Sequence, residues 1–317
     1  MLNSKHEIFI ILQERSHIFE VENMKEEKDE IGYRYDLEDV ADTSFKKVNE
    51  VIGNFYKIGN AGYVEVLDYM GSDASIVESA RQSYNMGTAK LDEAKIKTMI
   101  DSMTKNGHTS PFEQAIIKFK FKMPIFVARQ FLRHRTASLN ESSLRYTINR
   151  NETWRPTENT YELREGKFEL DIPKSKIDEI FNKIDEDTSK AYMELIKGKV
   201  PREISRANLT LGTYTEFVWN MDLNNLKHLL KLRMDSHAQR EIFEYAVAIY
   251  MLTYPIFPVT MEAFKNYVFL ADNVSLEDFK DQTKLDVIQN RIKTRWDEVQ
   301  NEMRHLSDPS NNGRHSF

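Results

Sequence analysis

Residues 115–123 read Ala-Ile-Ile-Lys-Phe-Lys-Phe-Lys-Met, and their alternation is the starting point for predicting the fold. Its side chains alternate between an apolar set, Ile117, Phe119, Phe121 and Met123, and a basic set, Lys118, Lys120 and Lys122. Successive side chains of a strand point to opposite faces of the sheet, so a period of two predicts a β-strand with one buried and one half-exposed face.

The sequence before this strand predicts a shorter strand and two helices. Val64, Val66 and Leu67 indicate the strand, and Ser72 has the side chain of a helix N-cap. The apolar residues of the two helices recur at helical spacing, at Ile76, Val77, Ala80 and Tyr84 and then at Ile96, Met99, Ile100 and Met103. Gly107 is the predicted stop of the second helix. Ser110-Pro111-Phe112-Glu113 has the pattern of a capping box with proline at the first helical position.

The sequence after the strand continues to mix helices and strands. Pro124 is expected to begin a helix that carries Arg129, Gln130 and Arg133 on one face. Residues 151–174 are expected to form a loop, followed by a helix over 177–197 and another from Pro201. Phe217, Trp219 and Met221 alternate as a strand. A further helix is predicted from Leu223 through Asp235, which would place Arg233 one turn before His237. A final amphipathic helix is predicted from the cap Ser275, with its apolar positions at Phe279, Leu285, Ile288, Ile292, Trp296 and Val299. The tail from Ser307 is expected to be frayed.

Strands and helices without regular β-α-β alternation predict an α+β fold, with a mixed or antiparallel sheet flanked by helices. Neither the Rossmann nor the P-loop glycine pattern is present, so the fold is expected to be non-Rossmann. We expect an N-terminal extension over residues 1–61, a main domain over 62–270, and a C-terminal helix and tail over 271–317.

The composition of the chain disfavours nucleic-acid binding and a membrane span, and it excludes cysteine chemistry. The chain has 317 residues and a formal net charge of −6, which disfavours general nucleic-acid binding. No apolar run approaches the ~18–20 residues that cross a bilayer, and the run Ile8–Leu12 resembles a strand more than a signal peptide, so we expect a cytoplasmic protein. The sequence contains no cysteine, which excludes disulfides, thiolate metal sites and a cysteine nucleophile.

The segment Arg133–Tyr146 has the most unusual composition, Arg-His-Arg-Thr-Ala-Ser-Leu-Asn-Glu-Ser-Ser-Leu-Arg-Tyr. Guanidinium groups offer a planar fork of donors that suits phosphate and carbonyl oxygens. Neighbouring hydroxyl and backbone N–H groups can bind the same oxygens. The segment therefore indicates a loop for a phosphorylated ligand, although composition alone leaves open a solvated loop with ordinary ion pairs.

The spacing Arg133-His134-Arg135, seven residues and then Ser143 resembles the signature of flavin-dependent thymidylate synthases. Further blocks resemble the family in order and spacing, namely Gly107–Glu113, Pro124–Gln130, Asn140-Glu141, Arg145-Tyr146, Val200–Glu203 and Leu232–Gln239. The resemblance covers about residues 62–270. It implies a flavin-binding fold, a homotetramer with shared active sites, and a methyltransferase that makes dTMP from dUMP with FAD, methylenetetrahydrofolate and NADPH.

The resemblance also implies site residues. The dUMP set is Gln130, Arg133, Glu141, Ser143, Leu144, Arg145, Arg206 and Arg233. The FAD set is Ser83, Ser110, Glu113, Arg133, His134, Arg135, Glu141, Asp222, Asn224, His228 and His237. Arg233 is the implied catalytic residue, and His108 is assigned to the folate or hydride steps. Ser143 is expected to bind dUMP rather than act as a nucleophile, because a serine needs a nearby base.

Some positions depart from the family pattern or have simpler explanations. Asp222 and His228 stand where asparagine is expected, and Asn224 stands where arginine is common. Leu144 replaces a common glycine, although a backbone contact would survive this change. Ser110 is expected at a helix N-terminus that favours the FAD pyrophosphate, but it and Glu113 could also form only a capping box. His237 could be a packed helix histidine.

Two other classes of protein compete with this interpretation. A nucleic-acid-binding protein could use Arg133, Arg135 and Arg145, but the flanking sequence is acidic. A metalloenzyme could use His108, Glu113, His134 and His237, but their spacing matches no zinc motif, and no metal is expected.

Overall fold

The computed structural model describes residues 51–83, 91–150, 152–157, 170–235, 237–270 and 282–314. Chain contacts divide the molecule after Asn49, and every element below belongs to the unit Glu50–Phe317. The predicted strand at Ile8–Leu12 and the predicted positions Tyr84, Ser275 and Phe279 lie outside the described residues.

A six-stranded sheet forms the centre of this unit. Its strands are β1 (Asn54–Ile58), β2 (Gly62–Met70), β3 (Ile116–Pro124), β4 (Ser138–Glu141), β5 (Tyr214–Asp222) and β6 (Asn312–Arg314). The order across the sheet is β4-β5-β3-β2-β1-β6, and every neighbouring pair is antiparallel. The α+β class with an antiparallel sheet is confirmed.

Helices flank the sheet. The α-helices are α1 (Asp73–Gln82), α2 (Glu93–Lys105), α3 (Ile125–Phe131), α4 (Lys174–Lys197), α5 (Arg202–Ser205), α6 (Leu223–Arg233), α7 (Arg240–Thr253), α8 (Pro258–Phe264) and α9 (Gln282–Ser307). Short 3₁₀ turns cover Phe112–Gln114 and Arg206–Asn208, and a π-helix covers Lys265–Phe269. None of the helices described is long and apolar enough to span a membrane.

The core lies between the apolar face of β3 and helix α7. Phe121 is fully buried, and its ring lies 5.2 Å from the ring of Phe131 and 5.2 Å from that of Phe217. Burying a phenylalanine contributes about 1.5–3 kcal/mol. The hydroxyl of Tyr245, on α7, donates to the Lys122 carbonyl at 2.5 Å. A Cβ at Gly62 would lie 2.1 Å from that hydroxyl, so glycine is required at this crossing.

The opposite face of β3 carries the lysines, as predicted, although not all of them are exposed. Lys120 lies 3.5 Å from Glu216, whereas Lys122 is 8% exposed and contacts Glu152 at 2.6 Å. Lys122 is buried because residues 152–157 run along this part of the sheet, where Thr153 bridges to Thr213. The prediction of a strand is confirmed, and its basic face is only partly open.

The first wrong prediction concerns the start of a helix at Ser110. Residues 112–114 form one 3₁₀ turn, and its N-cap, Pro111, makes no side-chain capping hydrogen bond. Ala115 is already extended because β3 begins at Ile116. A turn of this length has almost no macrodipole, so the expected helix N-terminal site for a pyrophosphate is absent at Ser110.

Two further helices are shorter than predicted. Helix α3 ends at Phe131, so Arg133 lies beyond it and does not share a helical face with Arg129 and Gln130. Helix α6 ends at Arg233 instead of running through Asp235. The Asp235 side chain accepts the backbone N–H of His237 at 3.0 Å, which closes a turn in place of the next helical bond.

The predicted fraying of the tail from Ser307 is also wrong for the described residues 307–314. Residues 312–314 form β6 and pair with β1, where Gly313 lies opposite Phe55. A Cβ at Gly313 would lie 2.7 Å from the Phe55 ring, so the absence of a side chain permits this contact. The strand β1 itself lies within the segment predicted to be an extension, and the expected domain boundaries stay a prediction.

Candidate active site

Helix α6 and its N-cap carry four of the predicted site residues, namely Asp222, Asn224, His228 and Arg233. Asp222 begins this helix by accepting the Asn225 N–H at 2.9 Å, and Leu223, Leu226, Leu229 and Leu230 are buried beneath it. Asn224 and His228 are four residues apart and therefore share a face. The Asn224 amide donates to the Glu113 carboxylate at 3.3 Å, which joins α6 to the 3₁₀ turn.

The end of α6 meets the Arg-His-Arg segment. The Nε–H of Arg233 donates to Nε2 of His134 at 3.1 Å. The rings of His134 and His228 lie 6.3 Å apart. Burial, the Arg233 guanidinium and His228 lower the pKa of His134 to about 4. His134 is therefore neutral at physiological pH, with its Nε2 lone pair available to accept from Arg233.

A set of arginines around this contact carries no acidic partner. Arg133 and Arg135 are exposed, Arg233 is half-buried, and none of the three forms an ion pair with a carboxylate in the described part of the chain. Burial and the neighbouring Arg133 lower the pKa of the Arg233 guanidinium. Arg206 is also exposed, and it forms no ion pair among the described residues. We call Arg133, Arg135 and Arg233 the cation-rich face.

A turn at Ser143 forms a second group. The Ser143 carbonyl accepts the backbone N–H groups of Tyr146 and Thr147 at 2.9 and 3.1 Å. The Ser143 hydroxyl accepts the Arg145 N–H at 3.3 Å, and no base lies within hydrogen-bonding distance of it among the described residues. The half-buried Leu144 lies within this turn.

Helix α5 supports the Ser143 turn. The Arg202 guanidinium donates to the Tyr146 carbonyl at 2.6 Å, and the Arg145 guanidinium lies 3.8 Å from the Glu203 carboxylate. Arg206 follows Glu203 by three residues and begins the 3₁₀ turn that comes directly after α5. Within the described residues, no hydrogen bond or ion pair joins this group to the His134–Arg233 group.

The other predicted residues are dispersed. Gln130 donates from its amide to the Gln239 side chain at 2.5 Å, and Glu141, on the exposed strand β4, accepts from the Thr215 hydroxyl. His237 is exposed and its ring contacts Asp235 at 2.8 Å. Ser83 ends α1, and His108 and Ser110 are exposed beside the 3₁₀ turn. The described contacts do not join these last three residues to the two groups.

Sequence reasoning missed Asp235, Thr215 and Gln239. Asp235 and Gln239 lie inside the quoted block Leu232–Gln239, so their order in that block was the available signal. Thr215 contacts Glu141 across the β4–β5 pair, and no local pattern reveals that pairing. In the part of the chain that the structure describes, no group of histidine and carboxylate side chains could hold a metal ion.

This arrangement suits an anionic ligand. Uncompensated guanidinium groups bind phosphate through paired charge-assisted hydrogen bonds. The neutral His134 and the Glu113–Asn224 pair add groups that can bind a heterocycle or a sugar. The donor set fits a phosphorylated nucleotide, and it fits a dinucleotide such as a flavin cofactor if arginines rather than a helix N-terminus neutralise its pyrophosphate.

Comparison with known proteins identifies the family. The family model described as "Thymidylate synthase complementing protein" matches residues 65–259. A flavin-dependent thymidylate synthase from Treponema denticola is 39% identical over 245 residues, which cover 75% of this chain and 89% of the relative. One from Wolbachia pipientis is 39% identical over 261 residues, covering 79% and 88%.

A solved structure agrees with these relatives. The UMP/dUMP methylase PolB from Streptomyces cacaoi, bound with 5-Br dUMP, is similar with a TM-score of 0.61 and 30% identity. The match covers 67% of this chain and 97% of that one. The family model spans more than half of the chain, and both relatives are 39% identical over more than two thirds of it. The chain therefore belongs to the flavin-dependent thymidylate synthases.

Proposed function

We propose that the protein is a thymidylate synthase that methylates dUMP to dTMP. Methylenetetrahydrofolate is the carbon donor, NADPH is the reductant and FAD is the bound cofactor. The single observation that carries the proposal is the cation-rich face, which collects unpaired guanidinium groups in a chain of net charge −6. An anionic pyrimidine nucleotide and an anionic dinucleotide would both compensate these charges.

The absence of cysteine supports a flavin route. A cysteine-dependent enzyme would add a thiolate to the pyrimidine ring, and this chain has no thiol. Reduced flavin would supply the reducing equivalent that completes the methyl group. The protein then has to bind, orient and polarise the substrate.

The Ser143 turn is the proposed site of the dUMP phosphate. Arg145 and Arg206 would neutralise the phosphate, with Arg133 contributing from the Arg-His-Arg segment. Ser143 and Leu144 would add hydroxyl and backbone N–H donors. No base contacts the Ser143 hydroxyl among the described residues, which supports a binding role over a nucleophilic one. Gln130 and Glu141 complete the proposed dUMP set.

Arg233 is the proposed catalytic residue. Its Nε–H is engaged by His134 at 3.1 Å, which leaves its terminal nitrogen atoms free to contact the uracil oxygen. A fixed cation beside this oxygen would stabilise the charge that develops there, which is worth about 3–4 kcal/mol per donor in comparable sites. The neutral state of His134 matters here, because a protonated imidazole could not accept from Arg233.

The proposed FAD set surrounds this contact. Arg133, Arg135 and His134 would hold the flavin and pyrophosphate, and Glu113 and Asn224 would serve the adenosine half, where they already contact each other. Ser83, Ser110, Glu141, Asp222, His228 and His237 are the remaining proposed contacts. His108 stays a candidate for the folate or hydride steps.

We also propose a homotetramer with shared sites. The dUMP group around Ser143 and the group around Arg233 share no hydrogen bond or ion pair within the described part of one chain. An assembly in which one copy contributes the first group and another copy the second would bring them to the same ligands. A main domain over residues 62–270 is proposed, in keeping with the family match over 65–259. The cytoplasmic location stays a prediction.

The test is a direct assay of the purified protein. We expect a yellow protein with bound flavin, bleaching by NADPH that responds to dUMP, and dTMP formation when methylenetetrahydrofolate is added. UMP should be assayed in parallel, because the related methylase is named for both nucleotides. A protein that takes up no flavin under any loading condition, or that does not methylate dUMP, contradicts the proposal.

A further inference from the structure

Helix α9 lies outside the matched region 65–259 but contacts the segment that follows Arg233. The Arg295 Nε lies 3.6 Å from the Asp235 carboxylate, with both side chains largely buried, at 16% and 27% exposure. The Arg295 guanidinium also donates to the Phe269 carbonyl at 3.2 Å. One arginine therefore links the chain that follows α6 to the π-helix.

Asp235 also contacts the residues that follow it, His237 and Ala238. Its carboxylate accepts the backbone N–H of His237 at 3.0 Å and contacts the His237 ring at 2.8 Å. Its backbone carbonyl accepts the Ala238 N–H at 2.9 Å. The orientation of His237 and Ala238 therefore depends on where the Asp235 side chain is held.

A second contact from α9 holds the far end of the same segment. The Glu302 carboxylate accepts from the Arg240 guanidinium at the first residue of α7. Arg295 and Glu302 are seven residues apart, so they lie on one face of α9, about 10.5 Å apart along its axis. The segment between the two anchors includes Gln239, which contacts Gln130.

Core packing fixes α9 independently of these polar contacts. The Trp296 ring lies 6.1 Å from the Tyr250 ring, and the Lys265 ammonium lies 5.3 Å from the Trp296 ring centroid. Val299 and Leu306 are buried. Loss of the Arg295 side chain should therefore leave the helix in place and release only the segment that it holds.

We propose that Arg295 is a positioning residue that fixes Asp235, His237 and Ala238, between Arg233 and α7, through its contact with Asp235. What this segment binds rests on the proposed function, whereas its fixation by α9 does not. The C-terminal helix α9 then supports the proposed site, because it holds in place the connection that carries His237 and Gln239.

The test compares Arg295→Met with Arg304→Met. Arg304 is exposed on the same helix and serves as the matched control. Amide hydrogen exchange at His237 and Ala238 should become about tenfold faster in Arg295→Met and stay unchanged in the control. Exchange in β3 and in the rest of α7 should stay at the wild-type rate. Equal acceleration across α7 and α9 would show a merely structural role and overturn the proposal, as would unchanged exchange at both amides.

A second variant keeps the inference testable if Arg295→Met fails to fold. Arg295→Lys retains the positive charge beside Asp235 but lacks the planar fork, so exchange at the two amides should fall between wild type and full release. In the loaded enzyme, Arg295→Met should raise KM for dUMP, or weaken the retention of flavin, about tenfold. The change in kcat should be smaller. An unchanged KM and unchanged flavin retention, with exchange as in wild type, contradict the proposal. A wild-type protein that binds no flavin contradicts the proposed function instead, and the exchange result still decides the role of Arg295.

Discussion

The cation-rich face and the cluster around Arg240 have opposite charge balances within one chain. The first gathers Arg133, Arg135 and Arg233 without an acidic partner among the described residues. The second, which we call the buried acid cluster, gathers Glu241, Glu244 and Glu302 around Arg240. Burial and the neighbouring Glu302 raise the pKa of Glu244 to about 7.

This difference shows which kind of charge imbalance indicates a binding site. Exposed guanidinium groups are solvated and tolerate the lack of a partner until a ligand arrives, whereas buried carboxylates must share protons and donors within the protein. A strongly perturbed carboxylate pKa is often associated with function. In this protein the carboxylate with the raised pKa, Glu244, lies at the contact between α7 and α9. The uncompensated guanidinium groups lie at the candidate site.

The largest effect is expected from Arg233→Ala. The variant loses the cation beside the uracil oxygen, so dTMP formation should fall by a factor of about 10²–10³, in keeping with the loss of one donor from such a site. Bound flavin should be largely retained. Initial rates of dTMP formation and the visible spectrum of the purified variant measure the two effects.

Lys231→Ala is the matched control, because Lys231 is exposed on the same helix and has no proposed role. It should keep the wild-type rate. Near-normal methylation of dUMP by Arg233→Ala would show that the cation-rich face does not act on the pyrimidine.

A smaller effect is expected from Arg206→Ala, which removes one proposed phosphate contact. KM for dUMP should rise by about tenfold to a hundredfold with a smaller change in kcat, because a charge-assisted hydrogen bond contributes about 1.5–3 kcal/mol. Added salt should weaken dUMP binding less in the variant than in wild type. Steady-state kinetics at two ionic strengths provide the measurement.

Lys197→Ala, at the exposed end of α4, controls for the loss of a surface cation near α5. If both variants change KM equally, Arg206 acts only through the general field of the surface. If KM for dUMP is unchanged in Arg206→Ala, the phosphate is bound elsewhere.

The smallest effect is expected in the buried acid cluster, where Glu244→Gln should change stability without changing the site. The folded-state pKa of Glu244, about 7, lies above its ordinary value of 4.5. The folded protein therefore binds the extra proton, and this group makes stability fall as pH rises from about 4.5 to about 7. Glu244→Gln should remove that slope and raise Tm at pH 8, by about 2–4 °C for each kcal/mol regained.

Thermal unfolding at pH 5 and pH 8 checks this expectation. Glu78→Gln, at an exposed position of α1, should leave the pH dependence as in wild type. A steeper fall in stability with pH in Glu244→Gln would show that the Glu244 charge is stabilised by Arg240 rather than destabilised by burial.

Local patterns were sufficient for the elements whose periodicity is strong. The alternation of residues 115–123 predicted β3, and Ser72 was correctly identified as the cap of α1, where it accepts the Ser75 N–H at 3.2 Å. The capping-box pattern at Ser110 failed because the next strand begins too soon for a helix to form. Whether that pattern forms a helix depends on the pairing of β3 with β2 and β5, which a local motif does not encode.

Contacts between distant residues were beyond the sequence argument. The resemblance brought His134 and Arg233 into the same set, but their hydrogen bond joins residues 99 positions apart. The Gln130–Gln239 contact spans 109 positions and had no local signal. Helix α9 was predicted from its amphipathic pattern, yet its contact with Asp235 depends on how α9 lies against α7 and the π-helix.

The strand β6 has a consequence for how the chain avoids association through its sheet. Residues 312–314 occupy the hydrogen-bonding groups of β1 that would otherwise form an open edge. An uncovered edge is a template for a strand from another molecule. Residues 312–314 thus cover this part of the β1 edge, so removing them should expose β1 to pairing with another molecule while leaving the proposed nucleotide-binding residues unchanged.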